Sequence, residues 1–572
     1  MSGSRHEPFT LSSDDDDDDE QLRQAIALSL LDQSSMQGKE QACEHGGEES
    51  ENPASDVSSH GEKQSATFGS LTLDRRAMEA ERLKRATAKR QRESVGDDSA
   101  KQVLPNKKAK PSAAGIPASP TAAIPYPNGV VKRTRVYGHP KCDDDITIEE
   151  VLQRDHLELA ILSSFQWDEE WLLSKVDMPR TKLLLVASAA DEAQKETMRA
   201  NVPPNIRFSF PRMQSFGNMH SKLQILRFPT YLRVVVPTGN LVPYDWGETG
   251  VMENMLFMID LPLLDGAKRQ EPTMFMRELC RFLRASDVNE NMVASLSKYD
   301  FSRTTNLGFV HTIPGSHMDD ERQTGYAGLG ASVAALGHGT KSAIEVDLVA
   351  SSLGSLKSDL IESIYNACQG DDGMKEYASR SSRKTSAQKT SGISQKFKDR
   401  FRIYFPSEET VVKSRGGRGA GGTICLQEKW WRASTFPREL IHDCVNDRGG
   451  ILMHSKLIFV RHAENGEGNN SSAPRSQGWA YIGSANLSES AWGRMVKDSS
   501  TGKPKMSCRN WECGVVIPFA PGDSDNDQGK AAVSTATAPT LASRFENGPV
   551  PVPVPMRVPA EPLGTDQQPW FY

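Results

Sequence analysis

The sequence predicts an α/β protein of two similar halves, each a mixed sheet flanked by helices, related by approximate twofold symmetry and preceded by a disordered N-terminal arm. The first observation behind this prediction is a repeated pentapeptide, Met-His-Ser-Lys-Leu, at residues 219–223 and 453–457. The second is that Asn-Leu, four variable residues and Trp-Gly follow each copy, at 240–247 and 486–493. Two widely separated copies without a short period indicate a duplicated domain rather than a solenoid.

The first half is predicted to span residues 141–312, where helical spacing alternates with short apolar runs. Its predicted helices lie at 148–152, 157–165, 171–172 and 275–283, and its strands at 182–186, 223–226 and 231–236. Alternating helices and apolar strands are typical of a layered α/β domain with a mixed sheet.

The second half is predicted to span residues 313–572 and to repeat this arrangement, with strands at 344–348, 400–405 and 457–460. A basic, glycine-rich loop at 413–422 could follow a nucleic acid backbone or be a plain surface loop. A polar insertion is expected at 520–546, after which the Pro-rich apolar stretch from 550 returns to the core.

Residues 1–140 are polar, charged and poor in aromatic residues, so they cannot bury enough apolar area to offset chain entropy and are predicted to be disordered. The 572 residues allow two to three domains, and the net charge is only -6. The eight cysteines form no CxxC pair and no long apolar run is present. We therefore expect a protein of a reducing compartment, without a cysteine zinc site or a membrane segment.

Two segments of the arm carry possible signals. Residues 14–32 begin with an acidic run and continue into a helical pattern with Leu22, Ala25 and Ser29. This pattern resembles a ubiquitin-interacting motif, although a solvated acidic run beside a nascent helix would look the same. The basic clusters within 82–110 suit nuclear import or loose binding to nucleic acid phosphates, and a merely solubilising arm is the alternative.

The repeated residues bring together side chains that can bind a phosphate ester. Residues two apart in a strand share a face, so His220 and Lys222 project side by side, as do His454 and Lys456. An asparagine from a later strand end adds a neutral donor to each set. Two facing sets offer two imidazoles, two positive charges and two amides around one tetrahedral anion.

Two His-x-Lys units, each followed by Asn, resemble the phospholipase D superfamily. The usual motif of that superfamily has Asp five residues after each Lys, where this chain has Arg227 and Arg461. A double His-Lys-Asn motif lacking both aspartates resembles the tyrosyl-DNA phosphodiesterase family, in a fungal-type form. Further matches lie at 216–217, 483–488, 491–493, 511–515 and 569–570.

The resemblance implies a two-step, metal-independent phosphodiester hydrolysis without a cofactor, through a phosphohistidine. It assigns attack to His220 and acid/base duty to His454. The groups expected to hold the nonbridging oxygens are Lys222, Asn240, Lys456 and Asn486. The two phospholipase D-like domains would meet at this site.

Further roles follow from the resemblance alone. Glu512 is expected to orient the acid/base histidine. The partner of His220 is normally a Gln after the first Asn; residues 249–253 contain none, and Glu253 could replace it. Phe216 is expected to stack on a DNA base, with a packed core ring as the alternative. Ser352 and Ser488 are expected near the phosphate and the DNA.

The implied substrate is a DNA 3′ end carrying a tyrosine or peptide left by a topoisomerase, or another small 3′ blocking group. The expected partners are such DNA, single- or double-stranded, and ubiquitin, for a monomer in the nucleus. One alternative is a nuclease or phospholipid-cleaving member of the same superfamily. Another is a non-catalytic scaffold that binds ubiquitin through the arm and DNA through the C-terminal region.

Overall fold

The computed structural model describes residues 124–214, 217–266, 270–383, 395–462, 478–519, 545, 550–564 and 566–572, with the backbone of 66–68 and 71–73. The segment 14–32, with Leu22, Ala25 and Ser29, and the basic segment 82–110 lie outside the described residues. In the arm, β1 (Ala66–Phe68) pairs antiparallel with β2 (Leu71–Leu73).

The first half is built on an eight-stranded mixed sheet with the order β4-β3-β11-β9-β8-β5-β6-β7. The strands of this half are β3 (Val130–Thr134), β4 (Asp145–Ile146), β5 (Leu159–Ser163), β6 (Lys182–Val186), β7 (Ile206–Ser209), β8 (Gln224–Arg227), β9 (Tyr231–Pro237), β10 (Met252–Glu253) and β11 (Met255–Pro262). Its helices are α1 (Ile148–Leu152), α2 (Glu169–Ser174), α3 (Glu192–Ala200), α4 (Met274–Ala285) and α5 (Glu290–Ala294), with short 3-10 turns at Ser295–Lys298 and Ser302–Thr304.

The second half is built on a seven-stranded mixed sheet with the order β12-β22-β19-β18-β14-β15-β16. The strands of this half are β12 (Gly308–Thr312), β13 (Gly315–His317), β14 (Ile344–Val349), β15 (Phe401–Phe405), β16 (Ile441–Asp443), β17 (Leu452–Met453), β18 (Leu457–His462), β19 (Gly478–Gly483), β20 (Arg494–Lys497), β21 (Pro504–Cys508) and β22 (Glu512–Phe519). Its helices are α6 (Gly325–Ala335), α7 (Ser358–Cys368), α8 (Met374–Arg383), α9 (Gln395–Lys398), α10 (Glu408–Val412), α11 (Glu428–Arg432) and α12 (Glu489–Trp492), with 3-10 turns at Asp319–Arg322, Gly417–Gly421 and Arg438–Leu440.

The two sheets repeat one topology, which confirms the predicted pair of similar α/β domains. In each sheet the strand that follows the His-x-Lys motif lies between one antiparallel hairpin partner and a strand that starts a parallel run of three. The parallel runs are β5-β6-β7 and β14-β15-β16. Strands β13, β21 and β20 form a smaller sheet of their own.

The halves share one hydrophobic core. Val234 and Val236 of β9 and Val515 and Ile517 of β22 are completely buried in the same cluster. Burial of apolar surface on this scale stabilises a fold by about 25 cal/mol per Å² removed from water. The two sheets are therefore packed against each other rather than joined by a flexible linker.

Helix α4 shows how the sequence specifies an element of this core. Thr273 caps its N-terminus by accepting from the Met276 amide. Phe275, Leu279 and Phe282 follow at helical spacing and are buried on one face. The rings of Phe275 and Phe282 lie 5.5 and 5.9 Å from that of Phe309 on β12, so the helix covers the second sheet.

Several predicted boundaries are corrected by the structure. The folded part begins before residue 141, because Val130–Thr134 pairs with β11 as an inner strand of the first sheet. The second sheet begins before 313, at Gly308–Thr312. Residues 157–165, predicted as a helix, contain the strand Leu159–Ser163, since a short apolar run fits both periods.

Other regions of the second half differ from expectation in detail. Of the predicted insertion at 520–546, only Phe545 is described, and its ring packs 4.3 Å from that of Phe519. The C-terminal Trp570 is buried and donates to the Gly421 carbonyl, so the chain end returns to the core. In the basic loop Lys413 pairs with an acid of α10, which reduces the charge the loop offers. In the described part of the chain, every helix is too short or too polar to cross a membrane.

Candidate active site

Each His-x-Lys motif is anchored to the backbone of the other half. Met219 forms a parallel bridge with Trp511, and the His220 amide donates to the Trp511 carbonyl at 3.1 Å. In the same way β10 pairs with β17, and the His454 amide donates to the Glu253 carbonyl at 3.1 Å. Both histidines therefore lie at the junction of the halves, just ahead of strands β8 and β18.

His220 is held by a carboxylate from the second half. Its Nδ1 lies 2.9 Å from Glu512 Oε2, and Glu512 itself accepts from Ser484 Oγ and from Asn510 Nδ2. Lys222 Nζ lies 3.4 Å from Nε2 of the imidazole. An anion on Nδ1 fixes the tautomer in which Nε2 carries the free lone pair.

His454 is held by a carboxylate from the first half. Its Nδ1 lies 3.0 Å from Oδ1 and 3.1 Å from Oδ2 of Asp245, which is completely buried. Asp245 also accepts from the Asn240 amide and from Asn254 Nδ2. Burial opposes the charge of Asp245, but the hydrogen bonds from His454 and the Asn240 amide and the charge of Lys456 help to lower its pKa below the usual value.

The supporting carboxylates therefore differ from expectation. Glu512 contacts His220, not His454 as the resemblance implied. Glu253 does not support His220 either, because its side chain forms ion pairs with Arg133 and Arg448. Asp245 is one of the four variable residues between Asn-Leu and Trp-Gly. Apart from its position inside the repeated unit, nothing in the sequence indicated that it contacts a histidine.

The carboxylates come from different places in the two halves. The carbonyls of Trp511 and Glu253 make matching bonds to the two histidines, so Glu512 and Asn254 occupy corresponding positions. By the same repeat, Asp245 corresponds to Ala491. The approximate twofold symmetry thus relates the histidines and lysines but not the groups that orient the imidazoles.

Both lysines lie beneath the histidines. Lys222 and Lys456 are 1% and 0% exposed, and each Nζ donates to the carbonyl of the histidine two residues before it. Burial lowers the pKa of Lys222 to about 8, and burial with the charge of Lys222 lowers that of Lys456 well below its usual value. Two cations held in this way favour an anion above them.

Burial also lowers the pKa of both imidazoles. That of His454 falls to about 4 and that of His220 falls as well, in both cases against the carboxylate that raises it. In both cases burial favours the neutral ring in the free protein. A neutral imidazole can attack phosphorus or accept a proton, and a bound anion raises the pKa toward the protonated form.

The asparagines are fixed by backbone and side-chain groups of their own halves. Asn486 Oδ1 accepts from Ser351 Oγ at 3.2 Å and from the Ser352 amide at 3.1 Å. Asn240 Oδ1 accepts from the Gln166 amide at 3.4 Å, and its Nδ2 donates to Gln166 Oε1 at 3.2 Å. With Oδ1 occupied, the amide N–H groups are the part available to a ligand.

The repeated Trp-Gly has a structural reason. Trp246 is buried, and its Nε1 donates to the Asn240 carbonyl at 3.0 Å, while Trp492 is buried against the Tyr481 ring. Gly247 and Gly493 have φ angles of 75° and 77°, a region that favours glycine. The pair thus closes the loop that carries each asparagine.

The histidines and asparagines of both halves line one open pocket. Ser352 and Ser488 lie on its wall, and Glu512 reaches it. Phe216 lies outside the described residues. Sequence reasoning missed several lining residues, which belong to no repeated letter: Phe165, Gln166, Asn218, Thr423, Cys425 and Asn510.

Comparisons with known proteins show the family of this chain and its fold. The family model described as tyrosyl-DNA phosphodiesterase matches residues 130–564. A relative from Arabidopsis thaliana named tyrosyl-DNA phosphodiesterase 1 is 24% identical over 487 residues, covering 75% of this chain and 71% of its own. A relative of the same name from Saccharomyces cerevisiae is 23% identical over 405 residues, covering 65% of this chain and 71% of its own.

Solved structures of yeast tyrosyl-DNA phosphodiesterase share the fold. A histidine-to-alanine variant gives a TM-score of 0.53 at 18% identity, covering 77% of this chain and 99% of the other. A histidine-to-asparagine variant gives 0.52 at 18% identity, covering 78% of this chain and 100% of the other. Since the family model matches most of the sequence, and its match contains both histidine motifs and their cross-half partners, this chain belongs to the tyrosyl-DNA phosphodiesterase family.

Proposed function

We propose that this protein is a DNA-repair phosphodiesterase that hydrolyses the bond between a DNA 3′ phosphate and a tyrosine, a peptide or another small blocking group. The observation that carries the proposal is the pair of histidines in one pocket, each with Nδ1 on a carboxylate from the opposite half. Such a pair supplies a nucleophile and a proton carrier at once. The names of the relatives support the choice of substrate.

In the first step His220 Nε2 attacks phosphorus and the bond to the tyrosine oxygen breaks. Glu512 favours this step because it accepts from Nδ1 and stabilises the positive charge that develops on the ring. His454, protonated once the phosphodiester anion is bound, donates its Nε2 proton to the departing oxygen. The products are free tyrosine and a phosphohistidine carrying the DNA.

In the second step water attacks the phosphohistidine. His454, now neutral, accepts a proton from that water through Nε2, while Asp245 holds Nδ1 and stabilises the imidazolium. The bond from phosphorus to His220 breaks, which releases DNA with a 3′ phosphate and restores the free ring. Charge on the nonbridging oxygens is balanced by Lys222 and Lys456 and by the amides of Asn240 and Asn486.

The proposal extends to the contacts outside the chemistry. Ser352 and Ser488 on the pocket wall, with Phe216 beside the first motif, would contact the DNA strand that leads to the 3′ end. Leu22, Ala25 and Ser29 would bind ubiquitin. The proposed action on DNA and the basic arm support a nuclear location, and a pocket lined by both halves of one chain supports a monomer.

The test is cleavage of an oligonucleotide with a 3′ phosphotyrosine by wild type, His220→Ala and His454→Ala, in excess chelator. We expect wild type to turn over, His220→Ala to be inactive without forming an adduct, and His454→Ala to accumulate a covalent protein-DNA adduct detectable on a denaturing gel. The reason is that only the first histidine forms the phosphorus bond, while the second is needed to resolve it.

Other outcomes would contradict the proposal. An inactive wild type would favour a binding scaffold, and loss of activity in chelator would favour a metal nuclease. Cleavage of phospholipid vesicles with no cleavage of the oligonucleotide would favour a lipid substrate. Adducts formed by His220→Ala would reverse the roles of the two histidines.

A further inference from the structure

Gln166 is a buried polar residue of the pocket that no part of the mechanism above uses. It lies in the loop between β5 and α2, is 6% exposed and lines the pocket. Its Oε1 accepts from Asn240 Nδ2 at 3.2 Å and from the Tyr244 hydroxyl. Burial, with the nearby charge of Asp245, raises the pKa of Tyr244 well above its usual value, so this hydroxyl stays a donor.

The two bonds to Oε1 determine where the other end of the amide points. Since Oε1 faces the two donors of Asn240 and Tyr244, Nε2, which is itself a donor, is turned away from them. No described residue accepts a hydrogen bond from Nε2. The atom is nevertheless not completely enclosed by protein. Gln166 itself lines the pocket that contains both histidines.

The approximate twofold symmetry relates Gln166 to Ser352 in the second half. The backbone amide of Gln166 donates to Asn240 Oδ1, just as that of Ser352 donates to Asn486 Oδ1. The two residues occupy corresponding places, on opposite walls of one pocket. Among the described residues the Ser352 side chain makes no hydrogen bond to Asn486, whereas the Gln166 side chain accepts from Asn240 Nδ2.

We propose that Gln166 is a further phosphate-contacting residue, whose Nε2 donates to one nonbridging oxygen of the scissile phosphodiester. Because one Asn240 N–H is occupied by Gln166, the glutamine adds the donor that this wall of the pocket would otherwise lack. The first half then contacts the phosphate through Gln166 and Asn240 together, and the second half through Asn486. This inference rests on the phosphodiesterase activity proposed above.

The first test compares Gln166→Met with Gln153→Met on the 3′-phosphotyrosyl oligonucleotide. Gln153 is a matched control because its Oε1 also accepts from a tyrosine hydroxyl, that of Tyr231, far from the pocket. We expect kcat of Gln166→Met to fall about 10²-fold, the effect of removing one preorganised donor, while Gln153→Met keeps the wild-type rate. An unchanged kcat in Gln166→Met would overturn the inference.

A second variant separates direct contact from mere support of Asn240. Gln166→Glu keeps an acceptor for Asn240 and Tyr244 but has no N–H to donate. If Gln166 contacts the phosphate, Gln166→Glu is no more active than Gln166→Met. If Gln166→Glu is nevertheless more active than Gln166→Met, despite the repulsion between its carboxylate and the phosphate, Gln166 only holds Asn240 and the inference is wrong.

The third readout is stereochemical. Substrates with sulfur in place of one nonbridging oxygen exist as two diastereomers, and sulfur is a poor acceptor for an amide. We expect wild type to cleave one diastereomer more slowly and Gln166→Met to lose most of that preference. A preference that persists in Gln166→Met would place the contact on another residue. An inactive wild type would instead contradict the proposed function, so the two failures are distinguishable.

Discussion

His454 Nδ1 lies 3.0 Å from Asp245 Oδ1, so the histidine of the second half depends on a carboxylate of the first. We predict that Asp245→Asn lowers kcat by about 10²- to 10⁴-fold, because an amide neither fixes the required tautomer nor stabilises the imidazolium. The covalent adduct should accumulate, since its resolution needs His454 as a base. Single-turnover kinetics with adduct detection would measure both effects.

A control for that prediction exists elsewhere in the fold. His311 Nε2 lies 3.0 Å from Glu278 Oε2, a further histidine-carboxylate pair in which the histidine is buried and neither residue lines the pocket. Glu278→Gln should therefore leave kcat unchanged at a temperature where both variants are folded. Equal loss of activity in the two variants would mean that Asp245 acts only through stability.

Glu512→Gln should act on the other step. The carboxylate holds Nδ1 of His220, so its neutral replacement weakens the nucleophile and slows formation of the adduct. We expect a slower burst and no adduct accumulation, in contrast to Asp245→Asn. If Glu512→Gln accumulated adduct, the roles assigned to the two carboxylates would have to be exchanged. Rapid-quench measurements of adduct formation provide the comparison.

Replacing either repeated glycine with alanine should destabilise the protein. At Gly247 a Cβ would lie 2.3 Å from the Arg135 carbonyl oxygen, and at Gly493 2.7 Å from Cys508 Sγ, both at positive φ. The backbone conformation alone costs about 1–3 kcal/mol in a non-glycine residue. Gly449→Ala is the control because its Cβ meets no atom within 4 Å. Urea unfolding of the three variants tests this.

Anion binding should be coupled to proton uptake. Burial lowers the pKa of Lys222 to about 8, so Lys222 is partly neutral at pH 8 in the free protein, and burial also lowers the pKa of Lys456 well below its usual value. A tetrahedral dianion in the pocket raises both pKa values, so protons are taken up as it binds. Titration calorimetry with sulfate at pH 8, in two buffers of different ionisation enthalpy, should show this uptake, and Lys456→Met should reduce it. Binding heats independent of the buffer would contradict the prediction.

The repeat made much of the fold and of the pocket predictable. The recurrence of His, Lys, Asn and Trp-Gly predicted two similar halves, because the same residues at similar spacing favour the same local structure. The partners of the histidines were not predictable in this way, since Glu512 reaches His220 across the junction, and sequence spacing carries no information on contacts between halves.

Other misses have local physical reasons. The apolar residues at 157–165 fit the period of a helix as well as that of a strand. Only the pairing of this run with β6 and β8 shows that it is a strand. Val130–Thr134 contains Lys132 and Arg133 and looks like part of the polar arm. Arg133 is nevertheless buried, because Glu253 and Asp447 compensate its charge. Gln166 belongs to no motif, and its contacts with Asn240 and Tyr244 are seen only in the structure.

The unequal carboxylates bear on the history of the molecule. A freshly duplicated gene encodes identical halves, and a pocket on the axis between them begins with interchangeable histidines. Here Glu512 corresponds to Asn254 in the other half, and Asp245 corresponds to Ala491. Each exchange gave one ring an acid of different length and origin. Divergence at two pairs of positions, with the histidines and lysines unchanged, is enough to give the two imidazoles of a symmetric cleft different surroundings.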